Sequence, residues 1–173
     1  MADEYDLVIV VTPNPNIANS YDWYFSTPLA TIPAAIDANI TMTLVAPGQP
    51  AGTCVFSDPP LTFHETWDPN SPTFTPPWYQ DLQISSPPAS TITFTDNNPN
   101  TYDRTYYFVI NAIYTDSENV AHQVVIGRDH THPLGSTCSP DPTIVNVGTD
   151  GNGGVVLDLN ATRRPAEPPA LAV

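Results

Sequence analysis

The chain has 173 residues, of which 18 are acidic and only 4 are basic, so its formal net charge at pH 7 is −14. Such a surface repels nucleic-acid phosphates and anionic lipid, and we therefore expect no nucleic-acid partner. No apolar run approaches the roughly 20 residues of a membrane span. The N-terminus is acidic and lacks a basic segment followed by an apolar one. This pattern predicts a protein that is cytoplasmic, or exported without a cleaved signal peptide.

The first half of the chain contains short apolar segments with a period of two, which is typical of strands. Residues 7–11 form a continuous apolar run and predict a strand that is buried on both faces. A short helix is predicted at residues 33–39, because Thr31 could cap it and Pro33 suits its first turn. Further strands are predicted at residues 21–25, 40–44, 55–56, 61–63, 82–84 and 92–94.

The clearest strand of the second half covers residues 106–114. One of its faces would carry Tyr106, Phe108, Ile110, Ala112 and Tyr114. Residues 120–126 follow after a polar turn, so the two segments predict a β-hairpin. A second hairpin is predicted from residues 143–147 and 155–159, which flank the turn sequence Asp-Gly-Asn-Gly at residues 150–153.

About nine short strands and at most one short helix predict an all-β fold, an antiparallel β-sandwich of immunoglobulin-like or jelly-roll type. The offsets of Asp103, Thr105, Tyr107 and Val109 are typical of the start of strand F in immunoglobulin-like sandwiches, which favours a sandwich over a barrel. Residues 1–160 are predicted to form this single domain. Residues 161–173 are rich in proline and alanine and predict a flexible tail.

The two cysteines, Cys54 and Cys138, lie far apart and match no Cys-x-x-Cys spacing. Two free, buried thiols are one interpretation. A disulfide that closes a long loop is the other.

A candidate metal site lies at Asp129, His130 and His132. On an extended strand the two histidines would project from the same face and could hold one divalent metal ion through two imidazoles. The alternative interpretation is a polar loop that ends at Pro133.

The segment 63–81 is rich in aromatic residues, with carboxylates nearby. Exposed rings stack on the apolar face of a sugar while polar groups bind its hydroxyls, so this segment predicts a carbohydrate-binding face. The alternative is that the rings cover the core beneath a long connection. The candidate ligand-binding residues are Trp67, Asp68, Trp78, Tyr79 and Asp81.

The sequence carries no Gly-x-Ser-x-Gly nucleophile elbow and no glycine-rich phosphate loop. We therefore expect no catalytic activity and no obligatory cofactor. The leading hypothesis is a non-catalytic module that assembles with itself or docks a protein partner. Carbohydrate binding by the segment 63–81, or metal binding at His130 and His132, are the alternative hypotheses.

Overall fold

The computed structural model describes residues 3–26, 29–32, 38–66, 71–79, 82–85, 88–97, 104–127, 143–146 and 155–159. Within them, twelve strands form two sheets that pack against each other, and no residue is helical. The predicted all-β sandwich is therefore confirmed. Because the described residues contain no helix, they contain no helix that is long and apolar enough to cross a membrane.

The first sheet has five strands in the order β2-β1-β4-β8-β7. Their bounds are Asp3–Pro13 for β1, Tyr21–Phe25 for β2, Ala38–Val45 for β4, Gln83–Ile84 for β7 and Thr91–Asp96 for β8. The pair β1–β4 is parallel, which departs from the purely antiparallel arrangement that we expected.

The prediction of a short helix at residues 33–39 is wrong for its last two residues. Ala38 and Asn39 begin β4, because they extend the inward and outward alternation of that strand, and Ala38 is fully buried. Residues 33–37 lie outside the part of the chain that the structure describes.

The second sheet has seven strands in the order β3-β12-β11-β9-β5-β6, with β10 also paired to β9. Their bounds are Leu29–Ile32 for β3, Cys54–His64 for β5, Thr73–Phe74 for β6, Arg104–Thr115 for β9, Ala121–Ile126 for β10, Thr143–Asn146 for β11 and Val155–Asp158 for β12. The segments 55–56 and 61–63 are one strand, β5, with an irregularity between Phe56 and Leu61. Strands β3 and β6 were not predicted.

The core lies between the two sheets, and β9 crosses its centre. The inward face predicted for this strand is confirmed, because Tyr106, Phe108, Ile110, Ala112 and Tyr114 are each at most 3% exposed. Both predicted hairpin pairings are also confirmed, as β9 pairs antiparallel with β10 and β11 with β12. The turn at residues 150–153 lies outside the described residues.

The connection between β4 and β5 turns at two glycines with a left-handed backbone. Gly48 has a φ of 73° and Gly52 a φ of 88°. A Cβ atom at Gly52 would lie 3.1 Å from Cβ of Pro88, whereas no atom lies within 4 Å of one at Gly48. This connection and the β9–β10 turn line a common cleft, so both lie at one end of the sandwich.

Candidate functional site

The middle of the second sheet presents one continuous outer face formed by β5, β9 and β10. The strand registers place Val55, Ile113 and Gln123 side by side, and Val125 beside Asn111. Because side chains alternate along a strand, the outward residues of the three strands follow from these positions. Nine of them lie together toward the β9–β10 turn, namely Val55, Ser57, Thr62, Asn111, Ile113, Thr115, Ala121, Gln123 and Val125, and we refer to these nine as the uncharged face.

None of these nine side chains is charged, although the chain carries 18 acidic residues. Val125 is 41% exposed, and Val120, just before β10, is 48% exposed. The outer face of the first sheet carries exposed charge at Glu4 and Asp6 on β1, but its outward residues on β4 and β8 are also uncharged. Lack of charge is therefore shared by parts of both outer faces, and the position of β10 at its margin is what sets the uncharged face apart.

Four polar side chains of the uncharged face bond to one another or to nearby backbone. The Gln123 side chain donates to the Ser57 hydroxyl across β9 at 3.3 Å. The Asn111 amide donates to the Pro59 carbonyl at 2.9 Å and to the Thr62 hydroxyl at 2.8 Å. Covering groups that are already paired costs less desolvation energy than covering free ones.

Two boundaries limit the uncharged face. Exposed carboxylates border it, with Asp58 in the β5 irregularity and Glu118 in the β9–β10 turn. Along β9, Val109 also points outward but is only 4% exposed. The open part of the face therefore begins at Asn111.

Strand β10 forms an edge of this region, because β9 is the only described strand that pairs with it. The Asp116 N–H donates to the Val120 carbonyl at 3.0 Å. Because hydrogen-bonded and non-hydrogen-bonded pairs alternate along antiparallel strands, this bond determines which residues of β10 bond to β9. His122, Val124 and Ile126 then exchange hydrogen bonds with β9. The backbone N–H and C=O groups of Ala121, Gln123 and Val125 consequently point away from β9, toward the side of β10 on which the described residues place no strand, which we call its free edge.

The turn that leads into β10 is organised around the Asp116 carboxylate. One oxygen accepts from the N–H groups of Glu118 and Val120, both at 2.9 Å. The other lies 2.7 Å from Nε2 of His122 on β10. The bond to His122 and then the bond from Val120 lower the pKa of Asp116 below its ordinary value.

A buried cluster lies beneath this turn, at the end of the core. The rings of Tyr21 and Tyr114 are 4.7 Å apart, and Tyr21 is 5.9 Å from the His122 ring. Cys54 is a free thiol that is 3% exposed, and burial raises its pKa to about 12. The thiol therefore stays protonated at neutral pH and is a poor nucleophile, because the thiolate is the reactive form.

Two of the predicted ligand-binding residues are described, and both pack on the core. Trp78 is 4% exposed, and its ring contacts Phe63, Phe94 and Tyr106. This placement agrees with the alternative interpretation, in which rings of the segment 63–81 cover the core. Tyr79 is partly exposed and lines a cleft of about 270 Å³ with Phe74 and three threonines.

The other candidate site residues lie outside the described part of the chain, and their assignments stay predictions. They are Trp67, Asp68, Asp81, Asp129, His130, His132 and the second cysteine, Cys138. Among the described residues, no group of three or more His, Cys, Asp or Glu side chains could hold a metal ion.

Sequence motifs do not indicate the uncharged face, because such motifs consist of charged and nucleophilic residues, whereas this face is defined by residues that lack charge. A signal was present. Residues 105–115 and 120–126 contain no Asp, Glu, Lys or Arg, and together they form most of the β9–β10 hairpin.

Comparison with known proteins gives no further guide to this site, since no protein-family model, no curated protein and no solved structure matches the chain.

Proposed function

We propose that this protein is a non-catalytic module that docks a protein through the uncharged face and the free edge of β10. The observation that carries the proposal is the combination of nine neighbouring uncharged outward side chains with the backbone groups of β10 that point away from β9 beside them. Depletion of charged residues is the compositional feature that distinguishes the centre of a protein interface from the remaining surface.

Three further features support this proposal. Val125 and Val120 add exposed apolar surface at β10. The amides of Asn111 and Gln123 are held by internal bonds, so a partner would not need to order them. The open backbone groups of β10 can accept another strand, which is a common mode of protein recognition.

Site-specific photo-crosslinking would test the proposal. A benzophenone amino acid at position 125 reports on the uncharged face, and the same group at position 41 is the control, because Thr41 lies on the outer face of the other sheet. We expect a saturable crosslink from position 125 in extract of the cells that make the protein. Excess wild-type protein should compete with it, as should the control variant Thr93→Asp.

The competitor Val125→Asp should fail, since it places a carboxylate on the uncharged face. Crosslinking from position 125 that does not exceed that from position 41 would contradict the proposal. Competition by Val125→Asp that equals competition by wild type would contradict it as well.

A further inference from the structure

From the edge geometry of β10 we infer that the docked partner is a second copy of this chain, paired strand to strand through β10. The inference rests on the proposed function and names its partner. It begins from the backbone groups of Ala121, Gln123 and Val125, which point away from β9. These three residues alternate along a strand of six residues, so their backbone groups can bond one further strand at this edge of the sheet.

Strand β10 lacks the features by which edge strands normally avoid such pairing. These features are short length, charged side chains, proline and bulges. Strand β10, Ala-His-Gln-Val-Val-Ile, has none of them, and its pairing with β9 is regular over all six residues.

Every other edge of the two sheets carries at least one of these features. In the first sheet, β2 contains Asp22 and β7 has two residues. In the second sheet, β6 has two residues, and β3 has four residues between Pro28 and Pro33. Strand β10 is therefore the unprotected edge of the described sandwich.

The charge pattern favours a second copy over a different protein. In a twofold-symmetric interface the residues at the axis lie beside their own copies, so a carboxylate there would face another carboxylate. An interface that is free of charge satisfies this condition. A basic partner would instead be matched by carboxylates on the docking surface, and the nine residues of the uncharged face contain none.

The substitution Gln123→Pro tests the pairing directly. Proline removes the N–H that points to the free edge and leaves the bonds between β10 and β9 in place. The matched control is Gln123→Ala, which loses the side-chain bond to Ser57 but keeps the N–H. A third variant, Val55→Asp, places a charge on the uncharged face two strands away from the edge.

Sedimentation velocity over a wide concentration range, with circular dichroism to verify folding, gives the dimerisation constants. We expect wild type and Gln123→Ala to form dimers, Gln123→Pro to dimerise about tenfold more weakly or worse, and Val55→Asp to weaken the dimer less than Gln123→Pro, because Val55 lies two strands from the edge. If Gln123→Pro does not fold, Ala121→Pro serves as the edge variant, since it removes another N–H that points away from β9 and adds no charge to the uncharged face.

The outcomes separate the inference from the proposed function. Dimers that survive Gln123→Pro but are lost in Val55→Asp would overturn edge pairing and leave docking through the uncharged face. Wild-type protein that stays monomeric at all concentrations would overturn the second copy as partner, and the crosslinking experiment would then decide the proposed function. Dimers that survive both substitutions would contradict both.

Discussion

Replacing Trp78 by alanine should destabilise the protein severely, because its indole is part of the core. The ring contacts four others, those of Phe63, Tyr79, Phe94 and Tyr106, at centroid distances between 5.3 and 6.1 Å. An aromatic side chain buries about 150–250 Å², which at about 25 cal/mol per Å² corresponds to about 4–6 kcal/mol. Truncation of a buried tryptophan to alanine typically costs about 3–5 kcal/mol, so we expect a loss near 4 kcal/mol.

Urea unfolding followed by far-ultraviolet circular dichroism would measure this loss as a lower midpoint at unchanged slope. Trp78→Phe is the informative control. It keeps a ring but deletes the indole N–H, for which the described residues provide no acceptor, and a buried donor without a partner costs about 1–3 kcal/mol. The phenylalanine variant should therefore lose clearly less than the alanine variant. A loss below about 1 kcal/mol for Trp78→Ala would refute the reasoning, because a ring that serves only to stack on a ligand contributes little to folding.

Three further predictions concern the end of the sandwich at the β9–β10 turn. The folded-state pKa of Asp116 lies below its ordinary value of 3.8. The ionised Asp116 carboxylate therefore stabilises the fold fully above pH 3.8, and this stabilisation is lost as the pH falls through the folded-state pKa. Asp116→Asn should flatten the acid limb of a plot of Tm against pH. Cys54, in a Cys138→Ser background, should react with a thiol reagent at pH 8 only as fast as the protein unfolds, and rapid labelling of the native state would contradict its burial. Gly52→Ala should lower the Tm more than Gly48→Ala, because both substitutions strain a left-handed backbone but only the new methyl at position 52 would also crowd Pro88. Equal losses of Tm would contradict this crowding.

The sequence allowed the fold to be predicted where a strand spans the core with one face inward. In β9, five alternate positions are apolar and buried, so the period of two was unambiguous. For strand β5 the sequence predicts two separate segments, because Asp58, Pro59 and Pro60 interrupt the alternation of apolar and polar residues. The structure accommodates them in an irregularity of the strand. Strand β6 could not be predicted, since it consists of two residues that pair with β5 through tertiary contact alone.

The candidate site could be predicted from the sequence only in part, because the lack of charge in β9 and β10 is visible there but their arrangement beside β5 is not. Val55, Ile113 and Gln123 form one row of the sheet, yet the pairing of β5 with β9 brings together segments that lie far apart in the chain. Neither residue type nor local spacing indicates such a row. For Trp78 the local sequence is misleading, because a tryptophan in a proline-rich segment suggests exposure. Its environment is instead set by Phe94 on β8 of the first sheet.

The net charge of −14 adds one prediction that separates a second copy from a basic partner. Two copies joined at β10 bring together two chains that each carry a net charge of −14, and these repel each other. Salt screens this repulsion, since the screening length falls from about 10 Å at 0.1 M to about 3 Å at 1 M ionic strength. The dimer should therefore become tighter as sodium chloride rises from about 0.1 to 1 M. Weakening by salt, measured by sedimentation, would indicate that attraction between opposite charges holds the complex, and the uncharged edge of β10 could not supply it.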